Sequence, residues 1–224
     1  MCPTVLCYMI EQVTFPILST LQHSPKKLIG VYRRYMRLFT LPIAWLCCFT
    51  AAFAGPIVRL CYGPGWEECV PYLQILSLSY ATWHLQLINL NLLKAGGPSK
   101  LFLRLELLKK CLGIAILIGM FFISVEAICW GALATSALCL TINTWATKRY
   151  MHLPIRQQLL DWLPIFALAA VCTILPAWVI PQSPPYLQLA AGLFLSLAIY
   201  LSILRFAAPS SLRGVVQLVR TRPY

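Results

Sequence analysis

Acidic residues are what this 224-residue chain has least of: six Asp and Glu stand against 18 Lys and Arg, and only 11% of the sequence is charged. A soluble domain is about 25% charged and about 45–50% apolar, whereas 60% of this chain is hydrophobic. That balance excludes an ordinary soluble globular fold. No CxxC pair and no Cys/His spacing suits a metal, and the ten cysteines lie mostly within or beside apolar runs, where a thiol behaves as a small hydrophobe. Gly96-Gly97-Pro98 lacks the spacing and the Lys-Ser/Thr of a phosphate loop. Glu67 and Glu68 are adjacent and so point to different faces of a helix, and His23, His84 and His152 have no acid at a catalytic spacing. The expectation is a protein that is not an enzyme and uses no cofactor or metal. The first charge is Glu11 and the first base Lys26, so no basic n-region of a cleaved signal peptide opens the chain.

What is present is a series of apolar runs approaching the roughly 20 residues that an α-helix needs to cross a bilayer. Runs such as Phe166 to Ile174 do not alternate in polarity, which excludes a membrane β-barrel. The fold class is all-α, a polytopic membrane helix bundle. Seven segments are predicted: Met1–Gln22, Leu38–Leu60, Cys69–Leu93, Leu108–Ile123, Ala127–Ala146, Leu163–Ile180 and Tyr186–Leu204. Between them lie breakers such as His23-Ser24-Pro25, Gly63-Pro64-Gly65, Gly96-Gly97-Pro98 and Pro181 through Pro185. Residues 1–147 are read as five spans of one lobe, 148–206 as two further spans and 207–224 as a basic tail.

Charge placement sets the orientation. With seven spans, 17 of the 18 bases fall on one side, from Lys26 and Arg33 through Lys94, Lys110, Lys148 and Arg156 to Arg205 and the tail; Arg59 alone lies opposite. The positive-inside rule makes the basic side cytoplasmic, with the C-terminus inside. Merging the two segments around Glu126 would put Lys148, Arg149 and Arg156 outside, so seven spans fit better than six. The net charge of +12 is thereby explained without nucleic acid, and attraction to anionic membrane lipids follows from the same loops. Lys26 to Leu38 and Ser99 to Lys110 mix bases and apolar residues at helical spacing, as either interfacial helices or plain extensions of the spans.

Polar side chains in hydrocarbon are costly unless paired or turned to a cavity, and so mark candidate sites. Glu11 is the one carboxylate near the middle of a span, and Gln12 follows it. In the third segment Ser77, His84 and Asn91 recur every seven residues, with Ser79 and Gln86, and Thr82 and Asn89, as a second group. Amides suit sugar hydroxyls and Trp83 can stack on a sugar face, while hydrogen bonding between helices explains the same residues. Cys61 and Cys69 flank the predicted external loop and either pair as a disulfide or stay separate thiols.

Several strings taken in order, VTFPILSTLQ (13–22), YRRYMRL (32–38), YGPGWEECVPYLQILSLS (62–79) and NLNLLKAGGPSKLFLRLELLKK (89–110), resemble the C-terminal half of polysaccharide flippases. These belong to the multidrug/oligosaccharidyl-lipid/polysaccharide exporter superfamily, and the likeness is to its lipopolysaccharide and colanic-acid branch. It runs from about Val13 to Gly131. Arg59 departs from a usually apolar stretch, and Pro98-Ser99-Lys100 replaces a usual Arg-Ser-Asp. The resemblance implies helices eight to fourteen of a two-lobed, fourteen-helix carrier in a bacterial inner membrane, so that the length reads as about half of such a protein. It implies movement of an undecaprenyl-pyrophosphate-linked oligosaccharide to the periplasmic leaflet, with the missing N-terminal lobe and a glycan polymerase as partners. The expected cavity residues are Glu11, Gln12, His84, Asn89 and Asn91, with Arg59 a candidate for attracting the pyrophosphate. The rivals are a cation-coupled drug antiporter centred on Glu11, a membrane interaction subunit that transports nothing, and an integral membrane transferase.

Overall fold

The computed structural model describes Ile10, Gln12 and residues 14–180 and 184–207, and every element among them is helical. The helices are α1 (14–20), α2 (Pro25–Ala52), α3 (Ala54–Tyr62), α4 (Val70–Ala81), α5 (Trp83–Gly96), α6 (Ser99–Phe121), α7 (Val125–Met151), α8 (Ile155–Val179) and α9 (Pro185–Ala207). Among the described residues α2, α7, α8 and α9 are long and apolar enough to cross a membrane. At 1.5 Å per residue each exceeds the roughly 30 Å of hydrocarbon. The chain is therefore a multi-pass membrane protein. Its large exposed apolar side chains, such as Leu107, Ile118 and Phe121 on α6 and Phe194 and Leu201 on α9, suit lipid contact.

Two predicted spans are broken, each for a local reason. Leu38–Leu60 is interrupted at Phe53, because Pro56 has no N–H for the carbonyl of Ala52 and its ring clashes there. Cys69–Leu93 is interrupted at Thr82, where the Ser79 carbonyl accepts the Ser136 hydroxyl (2.9 Å) and the Thr82 hydroxyl lies 3.2 Å from the same oxygen and 2.6 Å from Ser136 Oγ. Those hydroxyls compete with the Trp83 amide for the same acceptor. The stretches Lys26 to Leu38 and Ser99 to Lys110 are not separate interfacial helices; α2 and α6 run through them without a break.

The turns follow their residues. Gly63 (φ 84°) and Gly65 (φ 103°) take left-handed conformations on either side of Pro64. Ser124 caps α7 by accepting the Ala127 amide at 3.0 Å, so α6 and α7 are distinct helices, with Glu126 in the first turn of α7. They pack closely at Gly131, where an added Cβ would come within 2.9 Å of Met120. Lys109 is 9% exposed and pairs with Glu106 one turn earlier.

The most extensive helix contact is α2 on α8; α4 and α5 bridge α2 to α7, α6 covers α7, and α9 lies on α8 and α3. The main core gathers Leu18, Leu28, Tyr32, Met36, Leu85, Ile88 and Leu92 between α1, α2 and α5. A second core joins α2, α8 and α9 around Ala44, Ala169 and Tyr200, whose hydroxyl donates to the Leu41 carbonyl at 2.9 Å.

Candidate functional site

The predicted polar stripe of α5 faces the protein interior. His84 is fully buried and its Nε2 lies 3.0 Å from Thr40 Oγ1. Thr40 gives its single proton to the Met36 carbonyl at 2.6 Å, so His84 Nε2 is the donor of this pair. Asn89, 2% exposed, accepts the hydroxyl of the buried Tyr32. Asn91 is also fully buried, and neither of its amide atoms has a hydrogen-bond partner among the described residues. An amide in that state costs about 1–3 kcal/mol. Thus His84 and Asn89 join α5 to α2, and all three side chains are buried.

The other predicted residues lie apart. Arg59, on α3, pairs with Glu67 at 2.8 Å, and both side chains are more than half exposed. Gln12 is exposed, and Glu11 lies outside the described residues. Cys61 and Cys69 are separate free thiols, not a disulfide.

The open feature at this level of the bundle is a groove of about 340 Å³ between α4–α5, α6 and α7. Its polar wall includes Ser79 and Gln86 from the second group of the third predicted segment, and Ser136 of α7. Gln86 Nε2 donates to the Ser136 hydroxyl (3.0 Å) and carbonyl (3.1 Å), Thr82 meets the same hydroxyl at 2.6 Å, and Ser79 donates to the Ala132 carbonyl at 3.2 Å. Asn143 Nδ2 continues this seam, donating to the Gln86 carbonyl at 3.3 Å. At the rim, Tyr80 and Trp83 stack with ring centroids 5.3 Å apart. Gly113 of α6 and Gly131 of α7 also line it. Aromatic faces beside hydroxyl and amide groups can receive a ring with apolar faces and hydroxyl edges.

A charged cluster that no motif announces lies one helix away. Asp161, 2% exposed in the first turns of α8, is held by two arginines of α2. Arg33 Nε reaches Oδ2 at 2.7 Å and Nη2 reaches Oδ1 at 3.0 Å; Arg37 Nε and Nη2 reach Oδ1 at 2.8 and 2.6 Å. The Arg33 side chain is 31% exposed and that of Arg37 46%, so the cations keep water while the carboxylate does not. The signal in the sequence is the i, i+4 spacing of Arg33 and Arg37, which puts both on one helix face. Asp161, beside an apolar run with no acid near it, is the complementary clue.

Residues 1–71 match a family model described as a polysaccharide biosynthesis protein. No curated protein and no solved structure matches the chain. The match covers α1, α2, α3 and the start of α4, and therefore the elements that carry Arg33, Arg37 and Arg59. It supports a role in polysaccharide synthesis or transport for this helical membrane protein.

Proposed function

We propose that the chain forms one lobe of a carrier that moves lipid-linked oligosaccharide repeat units across a bacterial inner membrane, toward the periplasmic leaflet. The observation that carries this reading is the polysaccharide biosynthesis match over residues 1–71 in a bundle of membrane-crossing helices. The groove between α4–α5, α6 and α7 supplies what a saccharide needs at membrane depth: the stacked rings of Tyr80 and Trp83, with the amide of Gln86 and the hydroxyl of Ser136 beside them. Rocking of this lobe against a second one would expose the groove to each face in turn, while the lipid tail stays in the bilayer. The positive-inside rule applied to the basic loops supports a cytoplasmic C-terminus.

The test is export in a bacterial strain lacking its polysaccharide flippase. The chain is expressed alone and together with the N-terminal lobe of such a flippase. Restored surface glycan in either case supports the reading, and its loss in the Trp83→Ala and Gln86→Ala variants locates the passage at the groove. Absence of export in both cases, with the protein present and folded in the membrane, refutes it.

A second reading, a membrane interaction subunit that transports nothing, is favoured by one observation. His84, Asn89 and Asn91 are buried against neighbouring helices. Co-purification with a glycan polymerase, without any restored export, would select it.

A further inference from the structure

Trp145, Lys148, Arg149 and His152 follow one another at i, i+3, i+4 and i+7 along the end of α7, and so share one face. They line a recess of about 570 Å³, within the size range of ligand pockets. Lys148, Arg149 and His152 are exposed, and the Trp145 ring is 55% exposed. Neither base has an ion-pair or hydrogen-bond partner among the described residues. The acids on this side of the bundle are already engaged, Asp161 by Arg33 and Arg37, and Glu106 by Lys109. Bases in the last turn of a helix also offset its carbonyl end, but that role requires neither an aromatic wall nor a common face.

His152 adds a second, independent observation. It caps α7 in the left-handed conformation, φ 56° and ψ 27°, and no other non-glycine residue among those described has a positive φ. Glycine is the unstrained residue at such a cap, and His152, which lines the recess, takes that position at the expense of backbone strain.

We infer that this recess binds the phosphate-bearing headgroup of an anionic phospholipid. Trp145 belongs at the depth of the interfacial aromatic belt of a helix long enough to cross the membrane. Lys148 and Arg149 stand about one helical turn beyond it, roughly 5 Å further along the axis, where a lipid phosphate lies. The guanidinium of Arg149 offers paired N–H donors to two phosphate oxygens, Lys148 a point charge, and His152 a further N–H. The indole wall receives the glycerol region below. A free phosphate would use the same donors but not the ring, and the ring commits the site to a lipid.

The test uses the purified full chain, titrated with phosphatidylglycerol or phosphatidylcholine and read by native mass spectrometry of bound lipid. K148Q/R149Q should weaken phosphatidylglycerol binding by roughly thirtyfold, two bases each contributing what a juxtamembrane base does. K26Q/K27Q removes the same charge from exposed lysines that have no ring wall beside them, and should weaken it clearly less. His152→Gly should raise the melting temperature or leave it unchanged while weakening the lipid several-fold, so a loss of binding is separated from a loss of fold. Equal losses in the two double variants, no loss in K148Q/R149Q, or equal binding of phosphatidylcholine would overturn the inference. So would inorganic pyrophosphate binding as tightly as phosphatidylglycerol in the absence of lipid, since the recess would then be a site for free phosphate.

Discussion

Removing the two arginines that hold Asp161 should damage the protein far more than removing Asp161 itself. The asymmetry follows from exposure. The Asp161 carboxylate is 1% exposed, while the side chains of Arg33 and Arg37 are 31% and 46% exposed. In R33A/R37A a buried carboxylate is left with neither partner nor water, which costs about 3–5 kcal/mol. In D161A the two guanidiniums turn to the solvent they already touch, and the loss is about 1–2 kcal/mol, the worth of hydrogen bonds to charged groups discounted for screening. Adding D161A to R33A/R37A removes the stranded charge and should recover most of the deficit. R37A alone should be mild, because Arg33 keeps both of its contacts, Nε to Oδ2 and Nη2 to Oδ1. The assay is reversible unfolding of the purified protein in mixed detergent micelles, followed by circular dichroism. If R33A/R37A is no less stable than D161A, or if the triple variant is no better than R33A/R37A, the buried carboxylate is not what these arginines serve.

Other outcomes follow from single contacts. Asn91→Leu should raise stability by about 1–3 kcal/mol, because it removes a buried amide without partners; lower stability in the same unfolding assay would show that the amide is satisfied. A stable N91L that no longer restores glycan export would assign Asn91 to the transport cycle. Tyr32→Phe strands the buried Asn89 oxygen and should cost about 1–3 kcal/mol, with N89L recovering part of the loss. Gly192→Ala places a Cβ 2.3 Å from the Phe53 ring and should destabilise by about 1–3 kcal/mol. Phe53→Ala should make the glycine replaceable, and additive losses in that double-mutant cycle would show that the two residues do not meet.

The apolar runs and the scarcity of acid by themselves determined a multi-pass helical membrane protein. Helix formation within a bilayer is local: each backbone group must be satisfied inside its own segment, so length and composition suffice. Most punctuation was equally legible, because Gly63-Pro64-Gly65 and Gly96-Gly97-Pro98 act on their own neighbours and end α3 and α5 there. The break at Thr82 was not, since it depends on Ser136, more than fifty residues away, offering its hydroxyl to the Ser79 carbonyl. The same distinction runs through the site. Periodicity identified the polar faces of the third segment but could not tell which one is buried. The packing of α2 and α7 on α5 decided it and split the second group: Asn89 meets Tyr32 of α2, while Ser79 and Gln86 line the groove beside α7. The meeting of Asp161 with Arg33 and Arg37 joins positions more than 120 residues apart. Side-chain spacing on one helix is fixed by its 3.6-residue turn. Which helix faces it is decided by the packing of the whole bundle.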